Sequence, residues 1–324
     1  MSYTKNFLRN SKFYALSFTT IFLHMFNIAW NEKYAHPLPA NHRFPMEKYE
    51  LLPLQLLHEG TITRENFFSP EPISEVTVLS THAPGYWEKL KNQSLSKSEE
   101  RKTGFPMSQQ LVEREITIMG GTLQCALFAL EYGVSMNIAG GTHHAFTDRG
   151  EGFCLLNDIA IAANYLLANQ LAEKILVVDL DVHQGNGTAQ IFQEETRVFT
   201  FSMHGAKNYP MKKECSDLDV ELPDGINDKK YLEILENNME TLLKQQNPDF
   251  VFFQSGVDVL SSDKLGRLGL TINGCRERDR IVLENCWDRK IPVVASMGGG
   301  YSEKIAQIVE AHANTFRLAN DIYF

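Results

Sequence analysis

Five short apolar segments, separated by stretches with helical periodicity, constrain the fold of this chain more than any other feature. The segments are rich in β-branched and aromatic residues, and we interpret them as buried strands. They cover residues 134–140, 174–180, 197–203, 249–256 and 292–300. Helical patterns occupy residues 158–172, 229–246 and 274–289. Alternation of this kind predicts an α/β fold with a mostly parallel, multi-stranded sheet and helices on both faces.

Composition narrows the classes of partner and ligand. The 324 residues, 43% of them hydrophobic, are enough for a sizeable core in one large or two modest domains. A net charge of −9 and the lack of a long Lys/Arg block exclude the usual electrostatic footprint of a nucleic-acid-binding protein. The five cysteines are scattered and form no C-x-x-C pair, as is usual in a reducing compartment. We therefore expect any metal to bind histidine and carboxylate side chains.

The N-terminal segment is the only part of the sequence that resembles a targeting signal, and the resemblance is ambiguous. An apolar stretch at residues 13–30 follows three basic residues, which resembles a signal peptide. It contains polar residues, lacks a convincing cleavage site, and is marginal for a membrane span, which needs about 20 mostly apolar residues. We expect a cytoplasmic protein without a stable membrane span. Residues 1–24 would form an extension, and a catalytic domain would begin at Met25 with its first strand in FNIAW.

The polar stretch Lys89–Gly104 predicts a solvated loop or insertion.

Polar residues follow four of the predicted strands directly. The strand ends run into GGTHH, DLDVHQGNG, SGVDVLSSD and GGGYS, which begin at residues 140, 179, 255 and 298. In parallel α/β sheets, ligands bind outside the carboxyl ends of the strands. The sequence therefore predicts an active site at that edge of the sheet.

Asp181, His183 and Asp258 are candidate metal ligands. Alternate residues of a strand point the same way, so Asp181 and His183 can face one cavity, and Asp258 arrives from another strand. Two carboxylates and one imidazole, with a position left for water or substrate, fit a catalytic Zn²⁺ site, although Fe²⁺ or Mn²⁺ also accept such ligands.

The paired imidazoles of His143 and His144 suit a general base and a general acid, because an imidazole titrates near neutral pH. Asp179 would orient one of them or hold a second cation. Tyr301, which follows three glycines, would donate a hydrogen bond to a developing oxyanion. GGGY alone also resembles a phosphate loop, but no Walker lysine or G-x-G-x-x-G motif accompanies it.

These motifs together resemble the histone deacetylase family, which has the arginase/deacetylase fold. The resemblance runs from about Phe26 to the C-terminus and includes the segments at 140–162, 177–192, 255–271 and 298–302 in order. Within the family, the sequence is most similar to class IV members and to bacterial histone-deacetylase-like proteins. The segment HPLPANHRFPMEKY at residues 36–49 resembles the N-terminal segment of the bacterial proteins. It implies a single-domain enzyme with its active site at the C-terminal ends of the strands.

The resemblance also implies a role for individual residues. Zn²⁺ would be bound by Asp181, His183 and Asp258, protons would be moved by His143 and His144, and the amide carbonyl would be polarised by Tyr301. A structural K⁺ would be held by Asp179, Asp181, His183, Ser202 and Met203, with Asp179 also contacting His143. The substrate tunnel would be lined by Gly152, Phe153, Tyr209 and Leu265. Supporting positions would be taken by Asn186, Gly299, Gly300 and, near an inner cavity beneath the metal, Arg43.

Asn186 stands where some members of the family have Asp, which would give His144 a neutral partner and a lower pKa. The division of roles between His143 and His144 is therefore open.

The main hypothesis is a zinc-dependent amidohydrolase that removes acetyl or longer acyl groups from protein lysine side chains. An acetylpolyamine or other small-molecule deacetylase would need acidic groups at the mouth, and Glu151 keeps that alternative open. A ureohydrolase would need more aspartates for two manganese ions. A catalytically silent acyl-lysine-binding scaffold would not need Tyr301 or a full ligand set.

Overall fold

The computed structural model describes residues 25–324, and the predicted extension at 1–24 lies outside them. Within this range the strands are Asn27–Ala29 (β1), Phe67–Phe68 (β2), Val134–Asn137 (β3), Ile175–Asp179 (β4), Val198–Gly205 (β5), Leu218–Leu222 (β6), Phe250–Gln254 (β7) and Val293–Ser296 (β8). They form one sheet in the order β2-β1-β3-β8-β7-β4-β5-β6, and every pairing is parallel. The predicted parallel sheet is confirmed, and each of the five predicted strand segments contains or overlaps a strand of it.

Helices cover both faces of the sheet. They are Lys48–His58 (α1), Glu75–Leu79 (α2), Pro84–Lys91 (α3), Lys97–Thr103 (α4), Gln109–Tyr132 (α5), Asp158–Ala168 (α6), Asn186–Phe192 (α7), Asp228–Gln246 (α8), Ile272–Arg289 (α9) and Ile305–Tyr323 (α10). The three predicted helices correspond to α6, α8 and α9. None of the described helices is both long and apolar enough to cross a membrane.

Alternation of side chains along the strands divides the core into two layers. In β4, Ile175 and Val177 join the apolar cluster that contains residues of α6, whereas Leu176 and Val178 join the cluster that contains residues of α8, α9 and α10. All four side chains are buried, which explains why the strand reads as a continuous apolar run rather than an alternating one.

The polar stretch Lys89–Gly104 is not simply a loop: it contains the end of α3 and all of α4, so the loop alternative of this prediction was wrong. Ser96 caps α4 by accepting from the backbone N–H of Glu99, and the Glu99 carboxylate accepts from the N–H of Ser96. Gly104 ends the helix with a φ of +78°. The helix is charged around much of its circumference, so it has no apolar periodicity, but its capping-box sequence S-x-x-E was a usable signal.

Candidate active site

The functional side chains predicted from the sequence meet at the carboxyl edge of the sheet. His143 and His144 follow β3, Asp181 and His183 follow β4, Asp258 follows β7, and Tyr301 follows β8. Because β3, β8, β7 and β4 are consecutive neighbours in the sheet, their ends lie side by side. The order of strands in the sheet, rather than their order in the chain, brings these groups together.

Asp181, His183 and Asp258 form a buried triad. One ligating atom from each lies within 4.8 Å of those from the other two. Nδ1 of His183 is 3.0 Å from Oδ1 of Asp181 and 3.2 Å from Oδ2 of Asp258. Two carboxylates and one imidazole that converge on one point match the ligand set expected for a catalytic Zn²⁺.

The triad has the properties of a cation site. Among the described residues, Oδ2 of Asp258 is buried and forms no well-aligned hydrogen bond, although Nδ1 of His183 lies 3.2 Å away, whereas Oδ1 accepts from the backbone N–H of Val182 at 3.0 Å. Burial and the nearby Asp181 carboxylate raise the pKa of Asp258 to about 7. Two buried carboxylates this close together are costly without a positive charge between them. Without a metal, the protonated His183 imidazole supplies that charge, because the two carboxylates outweigh burial and raise its pKa to about 10. A divalent cation would take over this role from the proton, so the residues fit the metal that the family resemblance implies.

Gly299 leaves room for the two carboxylates. Its backbone N–H donates to Oδ2 of Asp181 at 2.9 Å. A Cβ at this position would collide with the Asp258 carboxylate and would lie 2.8 Å from Oδ2 of Asp181. A side chain at residue 299 would therefore displace the ligands. Gly300 continues the same turn with a φ of +153°.

His143 is paired with a carboxylate. Its Nδ1 lies 2.7 Å from Oδ2 of Asp179, and its Nε2 lies 3.9 Å from Oδ1 of Asp181. Burial opposes the charged imidazolium, but the Asp179 and Asp181 carboxylates outweigh it and raise the pKa of His143 to about 9. The predicted contact between Asp179 and His143 is present in the structure.

His144 is paired with an amide. Its Nδ1 lies 2.6 Å from Oδ1 of Asn186. An amide oxygen only accepts hydrogen bonds, so Nδ1 carries the hydrogen and Nε2 keeps its lone pair. Burial, together with the positive charge of His143 and His183, lowers the pKa of His144 well below the usual value. His144 is therefore a neutral imidazole beside His143, with 4.1 Å between the two ring centroids.

Tyr301 lies beside the triad, with its ring centroid 6.5 Å from that of His183. Its backbone N–H donates to Oδ2 of Asp263 at 2.6 Å, which fixes the start of the segment after the glycine turn. Burial and the carboxylates of Asp258 and Asp181 raise the pKa of the phenol well above its usual value. The hydroxyl keeps its proton and is available as a hydrogen-bond donor.

Gly152 and Phe153 form one wall of a channel that leads to the triad. Both have left-handed backbone conformations, with φ of +54° and +68°. A Cβ at Gly152 would lie 2.6 Å from Cδ2 of His144, so this position requires glycine. Their N–H groups donate to the carbonyls of Lys102 and Thr103, at 2.9 and 2.7 Å. The channel wall is thus attached to α4.

Tyr209 and Leu265 also line the channel mouth. The Tyr209 ring meets the His144 ring edge to face, with centroids 4.9 Å apart. The side-chain amide of Asn208 donates to the carbonyl of Leu265 at 2.8 Å, which joins the two segments. All four predicted tunnel residues line the same cavity.

Arg43 lies elsewhere than predicted. Its side chain is exposed at the channel mouth, with the guanidinium 5.0 Å from the centroid of the Phe153 ring. The inner cavity is lined instead by Arg114, whose Nε donates to the carbonyl of Tyr34 at 2.7 Å. Arg43 sits in a loop before α1 and faces solvent, whereas Arg114 belongs to the buried face of α5. The prediction that Arg43 lies beneath the triad was wrong.

Sequence reasoning missed three supporting side chains. Lys48 is fully buried, donates from Nζ to the carbonyl of Gly298 at 2.9 Å, and lies 5.9 Å from the centroid of the Tyr301 ring. Burial lowers the pKa of Lys48 to about 8. Gln254, at the end of β7, donates to the carbonyl of Gly141 at 2.8 Å, and Asp263 positions Tyr301. Asp263 is the last residue of the SGVDVLSSD motif, which was a weak signal, whereas a lysine in a helix normally indicates exposure to solvent.

The residues predicted to bind K⁺ lie on neighbouring strands. Asp179 of β4 is paired with Ser202 of β5, and Met203 follows directly. The Ser202 hydroxyl is also 2.9 Å from Nδ1 of the buried His204. The residues are therefore close enough in the sheet to share a site, and the binding of K⁺ stays a prediction.

Comparison with known proteins agrees with the geometry. The histone deacetylase domain family matches residues 42–316. The chain is 44% identical over 298 residues to an uncharacterised protein of Picosynechococcus, covering 92% of this chain and 99% of that protein. It is 27% identical to histone deacetylase 2 of Arabidopsis thaliana, over 83% of this chain and 72% of that protein.

A solved structure of a histone deacetylase homologue in complex with SAHA superimposes with a TM-score of 0.79 and 25% identity, covering 92% of this chain and 84% of that one. With the domain match spanning most of the chain and the sheet order and site geometry described above, the chain belongs to the histone deacetylase family.

Proposed function

We propose that this chain is a zinc-dependent lysine deacylase that hydrolyses the amide of acetyl or longer acyl groups on protein lysine side chains. One observation carries the proposal: a buried Asp-His-Asp triad lies at the end of a channel, beside two histidines of opposite pKa shift and a protonated tyrosine. These are the groups that amide hydrolysis requires, namely a cation site, a proton acceptor and an oxyanion donor.

Asp181, His183 and Asp258 would hold Zn²⁺, with Fe²⁺ as a possible replacement. When bound, such an ion supplies Lewis acidity toward the amide carbonyl and toward water. The chain's contribution is to fix the ligands: the Val182 N–H holds the Asp258 carboxylate, and the Gly299 N–H holds the Asp181 carboxylate.

His144 is the proton carrier in this proposal. It is neutral, and with its Nδ1 bonded to Asn186 its Nε2 is free to accept a proton from water and to return it to the leaving lysine amine. His143 stays protonated against Asp179, so its positive charge would stabilise the negative charge that develops on the substrate.

Tyr301 would donate its phenolic hydrogen to the amide oxygen as the carbonyl carbon becomes tetrahedral. The hydrogen bond from its own N–H to Asp263 and the packing of its ring on Phe153, with centroids 5.8 Å apart, hold the side chain in place. We further propose that Asp179, Asp181, His183, Ser202 and Met203 would bind a structural K⁺, some of them through backbone carbonyls.

The polyamine alternative loses its main support at Glu151. One oxygen of this carboxylate accepts from the Tyr209 hydroxyl at 2.7 Å and the other from Nε of Arg149 at 3.0 Å. A second amine of a polyamine would have to compete with both. A catalytically silent acyl-lysine-binding scaffold would not need two adjacent histidines with opposite pKa shifts, so this alternative does not explain the environments of His143 and His144.

The test is a turnover screen of the zinc-loaded chain on acetyl-, butyryl- and myristoyl-lysine peptides beside acetylated polyamines. We expect hydrolysis of at least one acyl-lysine peptide, its loss after chelation of the metal, its recovery with Zn²⁺, and inhibition by SAHA. Full activity in the metal-free protein, or hydrolysis of polyamines alone, would refute the proposal.

A further inference from the structure

The mouth of the channel has an unusual charge. It is a cavity of about 550 Å³, and apart from histidines its charged lining residues are Arg43, Arg101, Lys102, Glu151, Lys207 and Arg267. Five of these six are cations, although the chain as a whole carries a net charge of −9. The rim therefore differs in sign from the average surface of the protein.

Among the residues that the structure describes, the one acid that lines the rim, Glu151, already has partners. Glu151 bonds to Tyr209 and Arg149 as described above, and Arg149 brings a further positive charge to within 3.0 Å of it. Its negative charge is compensated inside the protein and offers little attraction to a cationic substrate.

The rim cations have few acidic partners. Lys207 and Arg267 share one carboxylate, that of Asp224, at 3.5 and 3.7 Å. Within residues 25–324, Arg43, Arg101 and Lys102 make no ion pair. All five side chains belong to exposed residues. Unpaired cations on one rim are available to a ligand.

Helix stability does not account for this arrangement. A basic pair in the last turn of a helix, such as Arg101 and Lys102 in α4, is common because it complements the helix dipole. Arg43, Lys207 and Arg267, however, lie in loops from three other parts of the chain. Four separate segments thus place cations around one opening, and α4 is fastened to the channel wall through the carbonyls of Lys102 and Thr103.

We infer that the mouth selects acyl-lysine substrates whose neighbouring residues are acidic. The inference rests on the proposed deacylase function. When the acylated side chain fills the channel, the residues beside that lysine lie against the rim, where carboxylates are attracted and basic residues or free amines are repelled. Because the cations surround the opening instead of converging on one point, they suit a chain with several carboxylates better than a single small anion.

The experiment compares three acetyl-lysine peptides of equal length, with acidic, neutral or basic flanking residues, on the zinc-loaded protein. Acetylputrescine and 6-acetamidohexanoate serve as small cationic and anionic substrates. We expect kcat/KM for the acidic peptide to exceed that for the neutral one about five- to tenfold, as two or three exposed ion pairs would give. The difference should lie mainly in KM and shrink as salt is added.

Charge reversal at the rim provides the variants. Arg101→Glu and Lys102→Glu, singly and together, should bring the ratio between acidic and neutral peptides to about one or invert it. Lys97→Glu is the matched control, because it makes the same charge change on an exposed residue of the same helix that does not line the mouth. It should keep the wild-type ratio.

Binding is measured separately, by fluorescence anisotropy of the labelled peptides on the His144→Ala variant. Tighter binding of the acidic peptide supports the inference even if no peptide is hydrolysed, in which case only the deacylase proposal fails. Equal affinities and equal kcat/KM for the three peptides would overturn the inference. A higher kcat/KM for 6-acetamidohexanoate than for the acidic peptide would also overturn it, by assigning the rim to a small carboxylate.

Discussion

His143 and His144 are adjacent in the chain and equally buried, yet the fold gives them opposite electrostatic environments. Nδ1 of His143 faces a carboxylate at 2.7 Å, and Nδ1 of His144 faces an amide at 2.6 Å. Burial lowers the pKa of both imidazoles. Only His143 has a negative partner strong enough to reverse that effect. The partner's charge, and not the depth of burial, separates a proton-holding histidine from a proton-accepting one.

His144→Ala should have the largest effect, because it removes the neutral imidazole that would accept the proton in the proposed mechanism. We expect turnover of an acyl-lysine peptide to fall by about 10³- to 10⁴-fold, the upper part of the range for general acid–base catalysis. Zinc content, measured after dialysis, should be unchanged, since His144 is not in the Asp-His-Asp triad. Loss of less than tenfold would show that another group carries the proton.

His143→Ala should have a smaller effect of about 10²-fold, because it removes a positive charge rather than the proton carrier. The measurement is kcat/KM on the same peptide under the same conditions. A loss equal to or larger than that of His144→Ala would exchange the two roles.

Asp179→Asn gives His143 an amide partner, like the one that His144 has in Asn186. Without the carboxylate, the pKa of His143 should fall, and turnover at neutral pH should drop about tenfold as the positive charge is lost. The thermal unfolding temperature serves as a control for folding, because Asp179 also accepts from the backbone N–H of Asp181. Unchanged turnover in a folded variant would mean that the charge on His143 has no role.

Asn186→Asp makes the opposite change and should have the smallest effect. A carboxylate at Nδ1 favours the imidazolium, so the pKa of His144 rises. Because the base must be deprotonated to act, the acid limb of the pH–rate profile should move up by about one pH unit, the low end of the range for a neighbouring charge. Activity at high pH should change little. An acid limb that stays in place would show that it reports a group other than His144.

The meeting of the candidate-site residues at one edge of the sheet could be predicted from the sequence because these residues follow strands directly. Asp181 and His183 stand two and four residues beyond β4, and a strand-end position in a parallel sheet fixes where a side chain can point. The contacts of Asp179 with His143 and of Asn186 with His144 join residues 36 and 42 positions apart. The family resemblance, more than spacing, made these contacts predictable.

Other features could not be predicted by local reasoning. Lys48 and Arg114 are buried cations within helices, and their destinations depend on which helix face packs against the sheet. Arg43 was misplaced for the same reason: a loop residue's direction is set by the elements around it. The helix α4 was missed because its sequence lacks an apolar stripe, although tertiary packing holds its carbonyls against Gly152 and Phe153.

The sequence by itself determined the parallel sheet, five of its buried strands and the chemical groups at the ends of four of them, because periodicity and residue type act over a few neighbouring positions. Only the tertiary structure decided which sheet order brings the strand ends together, which cations gather at the channel mouth and which arginine lines the inner cavity. Those outcomes depend on strand register and helix packing over distances of tens of residues. The charge that surrounds a functional group is therefore set by segments that are distant in the sequence and that the fold brings together.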